Sequence, residues 1–400
     1  MRVLMLSWEY PPNVVGGLGK HVAELVPALG EQNVVLHLVT PQGGSAPDME
    51  ICDWGTLHRV PCPAQAIPYP DFYTQAWVVN EALRAAAEEL IEHEGPFDLI
   101  HSHDWLTSFA ARSLKVAHKL PLLTTVHATE RGRGRGAMHG DESRRIHEAE
   151  WWLTYDAWRV ICCARFMASE VHDYFATPLD KIDVIPNGVD PGPYQALEDT
   201  DLRAFRAGYA RPEEKIVLNT GRVVSEKGAE VLVRAAPGVL AAVPAARFVI
   251  VGKGPDLERV RKAIADLHLA DRVVATGFIS DEERNRLYKV ADCAVFPSLY
   301  EPFGIVALEA MAARVPVVVS NVGGLREVVR HAETGITIHP DDPGSCAWGI
   351  IHTLQHPEWA AQRVEKAYRE VLSVYNWSAI ARQTVKVYER IVEERAVADW

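Results

Sequence analysis

A chain of 400 residues exceeds one ordinary hydrophobic core and fits two domains of similar size. Hydrophobic residues at 48% and charged residues at 24% exclude disordered and fibrous classes. With 41 basic against 53 acidic residues the formal charge is −12, a poor match to a nucleic-acid partner, and no apolar stretch has the length of a transmembrane span.

The N-terminal Met-Arg-Val-Leu-Met-Leu-Ser is too short an apolar run for a secretory signal. The six cysteines, at 52, 62, 162, 163, 293 and 346, contain no C-x-x-C pair. They read as free thiols in a reducing compartment, and the expected location is cytoplasmic.

Short apolar, β-rich runs alternate with longer helical patterns. In the first half the runs fall at 3–7, 34–40, 98–103, 122–127, 160–163 and 182–186. In the second half they fall at 216–220, 248–251, 273–276, 293–296 and 315–320. Continuous apolar strands separated by helices predict parallel sheets covered on both faces, an α/β fold with two doubly wound, Rossmann-like domains. The rhythm breaks at Asn187-Gly188-Val189-Asp190-Pro191-Gly192-Pro193, which predicts a first domain over 1–188 and a second over 189–376. In the tail, Trp377, Ile380, Ala381, Tyr388, Ile391 and Val392 form one helical stripe that needs an apolar surface to lie on.

Ligands of open parallel sheets bind beyond the carboxyl ends of the strands, so the segment after each strand carries the chemistry. The first strand leads into Gly16-Gly17-Leu18-Gly19-Lys20-His21, where paired glycines at a helix start expose amides to an anion. Neither the dinucleotide nor the P-loop spacing is present. Gly252-Lys253-Gly254 follows another strand; it reads as a tight strand-to-helix turn or as part of a ligand loop. Gly221-Arg222 and Lys227-Gly228 place two cations after a strand, suited to clamping a diphosphate, although two surface cations near a turn would look the same.

The densest constellation is Pro297-Ser-Leu-Tyr-Glu301-Pro302-Phe303-Gly304-Ile305-Val-Ala-Leu-Glu309. Glu301 lies in a loop, Gly304 and Ile305 open a helix, and Glu309 follows one turn later on the face of Ile305. A carboxylate in so apolar a helix needs a partner: sugar or ribose hydroxyls, a buried arginine, or a cap. In the first half His101-Ser-His103-Asp104 ends one strand and His127 another. His101 and His103 share a strand face, so an H-x-H metal pair is conceivable beside the plainer reading of satisfied core histidines. Glu130-Arg-Gly-Arg-Gly-Arg-Gly136 predicts a mobile basic loop, and Asp199-Thr-Asp201 reads as solvated linker despite its D-x-D spacing.

Four of these segments in this order resemble the retaining family 4 glycosyltransferases of GT-B fold. They are Glu9-Tyr-Pro-Pro with Gly16-Gly17, Asn187-Gly188-Val-Asp190, Gly221-Arg222 with Lys227-Gly228, and Glu301 to Glu309. The resemblance covers nearly the whole chain. It implies two domains facing a cleft, a tail helix at 377–400 returning to the first, a nucleoside diphosphate sugar donor, a carbohydrate acceptor, and neither cofactor nor catalytic metal. On this resemblance Arg222 and Lys227 would neutralise the diphosphate and Glu309 would hold the ribose. Glu301 with Gly304 and Ile305 would grip the sugar, and Gly16, Gly17 and Gly252 would border the donor. Ile279 would lie by the base, His127 by the reacting carbon, and Asp104 on the acceptor side. Retention would proceed by same-face attack, the diphosphate helping to deprotonate the acceptor.

His101-Ser-His103-Asp104-Trp105, His127 and Gly16-Gly17-Leu18 resemble the glycogen and starch synthases, implying ADP- or UDP-glucose and an α-glucan product. Those synthases carry a lysine two residues before the glycine pair, where this chain has Val14. A sugar phosphate, lipid or other small acceptor is the alternative. A non-catalytic binding protein, a GT-B epimerase and a metal-dependent hydrolase using His101 and His103 are more distant ones.

Overall fold

The computed structural model describes residues 1–62 and 68–400. The chain divides into two compact units, Met1–Gly188 joined by Trp377–Trp400, and Val189–Asn376.

The first unit holds β1 (Arg2–Leu6), β2 (Val35–Pro41), β3 (Met49–Cys52), β4 (Gly55–Val60), β5 (Leu99–His103), β6 (Leu122–Val126), β7 (Arg159–Cys162) and β8 (Ile182–Val184). They form one sheet in the order β3-β4-β2-β1-β5-β6-β7-β8. Every pairing is parallel except the antiparallel β3–β4 edge. β5 and β6 are buried at every residue, as a sheet covered on both faces requires. The long helix Trp377–Val397 lays Trp377, Ile380, Tyr388 and Ile391 into the core formed by Val3, Val22, Leu25 and Leu36. Trp377 Nε1 donates to Glu24 on helix Gly17–Gly30, and Gly188 is closely covered by the Trp377 ring, where a Cβ would collide.

The second unit holds β9 (Lys215–Thr220), β10 (Ala246–Val251), β11 (Val273–Gly277), β12 (Cys293–Phe296), β13 (Val317–Ser320) and β14 (Ile336–Ile338). The order is β11-β10-β9-β12-β13-β14, all parallel, which is the doubly wound arrangement with its reversal between β9 and β12. The first sheet reverses in the same way between β1 and β5. The two units therefore repeat one plan, and in open parallel sheets the strand ends at such a reversal are where ligands bind.

Three strands lie outside the apolar runs. β3 and β4 carry Glu50, Thr56, His58 and Arg59, and β14 is three residues long. The segment from Glu130 to Arg133 is a helical turn instead of the expected loop, because Thr129 caps it by accepting from Gly132 N. No cysteine is paired, and among the described residues no helix is long and apolar enough to cross a membrane.

Candidate active site

In the second unit the loops after β9 and β12 meet at the reversal. Gly228 adopts φ +69°, and a Cβ there would run into the Pro297 carbonyl, so only glycine lets the loops close. Leu299 N and Tyr300 N both donate to Glu226 O, at 2.7 and 3.2 Å. This stitching brings Lys227 Nζ to 2.6 Å from Glu301 Oε2, with Ser298 Oγ at 3.4 Å from the same oxygen. Glu301 is 6% exposed, so its charge is held by a cation and a hydroxyl rather than by bulk water. Gly304, at φ +111°, caps helix Ile305–Ala312, which starts without a side-chain cap. A lysine from the loop after β9 is thus brought to a carboxylate and a helix N-terminus from the loop after β12.

Arg222 lies apart from that pair, exposed, its Nη2 at 3.4 Å from Glu226. Gly252, at φ +144°, packs against the backbone of Gly221, whose carbonyl a Cβ would strike, and its N–H donates to Gly277 O. The tight strand-to-helix turn read from the sequence is formed. Ile279 is half-buried beside Phe278, which is exposed under the Lys253 ammonium. Glu309 is buried, as expected for its place in an apolar helix, but its partners come from the protein. Arg284 Nη2 lies 3.7 Å from Oε1, and Tyr288 donates to Oε2 at 3.2 Å. The buried-arginine alternative therefore satisfies this carboxylate without any sugar. Burial, reinforced by the Glu309 charge, pushes the Tyr288 hydroxyl far up, so it stays a donor.

In the first unit, one of the two amides expected to face an anion, that of Gly16, is met by a carboxylate of the protein. Val15 N and Gly16 N donate to Glu9 Oε2 at 2.9 and 3.0 Å, so the carboxylate of Glu9 sits at the start of helix Gly17–Gly30. Gly17 itself is exposed. The H-x-H pair does not form a shared site. His101 Nδ1 meets the Tyr388 hydroxyl and its Nε2 the Thr125 hydroxyl, both at 2.8 Å, which engages both ring nitrogens.

His103 turns instead to His127, sharing a 3.1 Å hydrogen bond, and His21 completes a trio. His21 Nδ1 donates to Asn187 Oδ1 at 2.7 Å. Burial holds all three rings well below the usual imidazole range, His127 at about 3, and the Arg133 charge adds to this at His127. Asp104, at φ 57°, ends β5 in a strained backbone region and accepts from His127 N at 2.6 Å. Burial pushes its carboxyl up to about 6. Glu150, also pushed up by burial, accepts from Glu130 N at 2.7 Å nearby. The D-x-D aspartate Asp201 pairs with Arg203 at the surface.

The structure brings Lys227 to Glu301, Gly304 and Ile305, whereas Arg222, expected beside Lys227 in a diphosphate clamp, pairs with Glu226; His127 and Asp104, expected at the reacting carbon and on the acceptor side, are in contact. Sequence reasoning missed His21, Ser298, Arg284 and Tyr288. His21 had a signal: it follows the glycine pair by one helical turn, on the side that faces the β1–β5 reversal.

The comparisons with known proteins agree with this anatomy. Residues 15–192 match the model described as Glycosyltransferase Family 4, and residues 203–370 the model described as Glycosyl transferases group 1. An uncharacterized glycosyltransferase of Methanocaldococcus jannaschii is 37% identical over 98% of this chain and 99% of its own. A glycogen synthase of Mycobacterium tuberculosis is 34% identical over 97% of this chain and 94% of its own. Among solved structures, a sucrose-phosphate synthase of Thermosynechococcus elongatus superposes with a TM-score of 0.85 at 27% identity, over 98% of this chain and 99% of that one. The chain belongs to the family 4 glycosyltransferases and has their GT-B fold.

Proposed function

We propose that this protein is a retaining hexosyltransferase that moves glucose from ADP- or UDP-glucose to a glucan-like acceptor in the cytoplasm, with no metal ion in the transfer step. The observation that carries the reading is the 2.6 Å Lys227–Glu301 pair beside the Gly304–Ile305 helix start, at the reversal point of the second sheet. Glycosyl transfer develops positive charge on the sugar and negative charge on the departing diphosphate. Lys227, Arg222 and the helix N-terminus answer the second charge, and Glu301 answers the sugar. Glu309, held by Arg284 and Tyr288, presents a fixed carboxylate to the ribose. Gly16, Gly17 and Gly252 border the donor and Ile279 the base.

In the first unit, Asp104 fixes the backbone of His127 and the fold keeps that imidazole neutral. A neutral ring can donate or accept a hydrogen bond to a sugar hydroxyl without attracting the diphosphate away from its cations. Asp104 itself borders the acceptor. Support for glucose comes from the glycogen synthase relative.

A second reading has its own observation. Val14 stands where the glucan synthases carry lysine, and Arg133 carries its charge near His127 and Asp104, with Arg135 exposed two residues further on. A phosphorylated acceptor would fit those cations. The sucrose-phosphate synthase likeness also points toward phosphorylated sugar chemistry.

The test is release of nucleoside diphosphate from ADP-glucose, UDP-glucose, GDP-mannose and UDP-N-acetylglucosamine, each with glycogen, maltooligosaccharide or a sugar phosphate. Glycogen-dependent release from a glucose donor is the expected result. Release only with a sugar phosphate selects the second reading, and release from neither glucose donor overturns the assignment of glucose.

A further inference from the structure

We propose that His21, His103 and His127 form a binding site for a divalent transition-metal ion of the Zn²⁺ class, a structural role in addition to the sugar contact proposed for His127. One nitrogen from each ring lies within 4.8 Å of the other two, and the ring centroids are 4.7, 5.5 and 5.4 Å apart. Tetrahedral zinc–imidazole bonds of about 2.0–2.1 Å put ligand nitrogens about 3.3 Å apart. His103 and His127 already approach to 3.1 Å, so only His21 has to draw in.

Two independent features distinguish this trio from histidines that are merely packed. First, His21 Nε2 is buried and has no hydrogen-bond partner, a costly state that a ligand would relieve, while His103 offers Nδ1 to the same point. Second, the orienting contact is in place. Asn187 Oδ1 accepts from His21 Nδ1–H, which fixes the tautomer and leaves the Nε2 lone pair free, as an outer-shell carbonyl does in metal sites. His101 serves as the internal contrast, since its hydroxyl partners engage both nitrogens.

The surroundings suit a dication. Burial keeps the imidazoles neutral and able to coordinate. The Arg133 charge opposes the ion, and the Asp104 carboxylate group, which accepts from His127 N at 2.6 Å, lies on the same side. His127 is only partly buried and gives solvent access, and the fourth position is left for water. A bound ion would tie helix Gly17–Gly30 to the ends of β5 and β6, and so stabilise the first unit by mass action.

The tag-free chain, stripped with chelator, is titrated with Co²⁺ while d–d absorption is followed, and with Zn²⁺ against a chromophoric chelator. Thermal unfolding is recorded with and without the ion, and no donor is present. One ion per chain, four-coordinate cobalt bands and a raised Tm are expected. His21→Ala or His103→Ala should weaken affinity at least 100-fold. Asn187→Ala keeps all three ligands and should weaken it roughly 10–100-fold, which guards against a variant that merely misfolds. His352→Ala, in the surface group His331, His352 and His356 of the second unit, should change nothing. Absence of binding, binding indifferent to His21→Ala and His103→Ala, or binding abolished by His352→Ala would each overturn the site.

Discussion

The reversal points of the two sheets have the same strand plan and opposite chemistry. Between β1 and β5 the fold gathers neutral imidazoles, with a carboxyl at Asp104 pushed up to about 6 and a second, Glu150, pushed up as well. Between β9 and β12 it gathers formal charges in pairs, Lys227 with Glu301 and Arg284 with Glu309. Topology therefore fixes where ligands sit, and the loops choose what kind. A crevice of paired charges suits a diphosphate, whereas one lined by neutral imidazoles recognises hydroxyls through directional hydrogen bonds.

The strongest way to break this contrast is through the Lys227–Glu301 pair. Glu301→Ala should lower the rate of transfer by about 10²–10³-fold, the scale for losing one group that meets developing charge. Affinity for free ADP or UDP, read by calorimetry, should stay within about threefold because the cations remain. Lys227→Ala should weaken the same affinity by tenfold or more, since a charge-assisted contact of about 1.5–3 kcal/mol is lost. Equal loss of nucleotide affinity in both variants would reduce the pair to a structural bridge.

A sharper test of how the charged crevice is built is Gly228→Ala. Positive φ and the Pro297 carbonyl both oppose a Cβ there. A loss of about 1–3 kcal/mol is expected from the backbone conformation alone, with more from the collision, and thermal unfolding should show it as a lowered Tm. Gly221→Ala is the comparison: φ is also positive, at +140°, but a Cβ would meet nothing within 4 Å. It should cost less, and a larger cost at Gly221 would show that the Pro297 approach does not govern the loop.

What the sequence made legible follows the range of the interactions involved. The parallel strands were visible because burial on both faces leaves continuous apolar runs, as in Leu122–Val126. Glu301, Gly304 and Glu309 were visible because their relation is local, set by one loop and one helical turn. β4 was hidden because Thr56, His58 and Arg59 interrupt its apolar pattern near the sheet edge. The partners of buried polar groups were hidden for a different reason. Arg284 reaches Glu309 from another helix, and Tyr388 reaches His101 from 287 residues away. Spacing reveals that a buried glutamate or histidine needs a partner, but tertiary closure decides which. Glu309 is met by Arg284 and Tyr288, and the Gly16 amide by Glu9.

The smallest effect concerns pH, and it probes the uncharged crevice. His21, His101, His103 and His127 all have lowered basicity in the folded chain, primarily through burial, while an unfolded imidazole titrates near 6.5. The unfolded chain therefore binds more protons below that value. Their contribution to stability is complete above about pH 6.5 and is lost as pH falls toward the folded values, about 3 for His127. Asp104 has the opposite sign: its folded value of about 6 lies above the ordinary carboxyl, so it favours the fold in acid and loses that contribution as pH rises through 6. Glu150 acts in the same direction as Asp104. Four imidazoles against two carboxyls make the histidine sign prevail between pH 7 and 6, at about 0.7 kcal/mol for each imidazole. The urea midpoint, measured with chelator present, should be lower at pH 6 than at pH 7. His101→Asn should reduce that difference by one imidazole's share. An unchanged or higher midpoint at pH 6 would mean that these rings take up protons in the folded state, and the contrast between a neutral crevice and a charged one would fail.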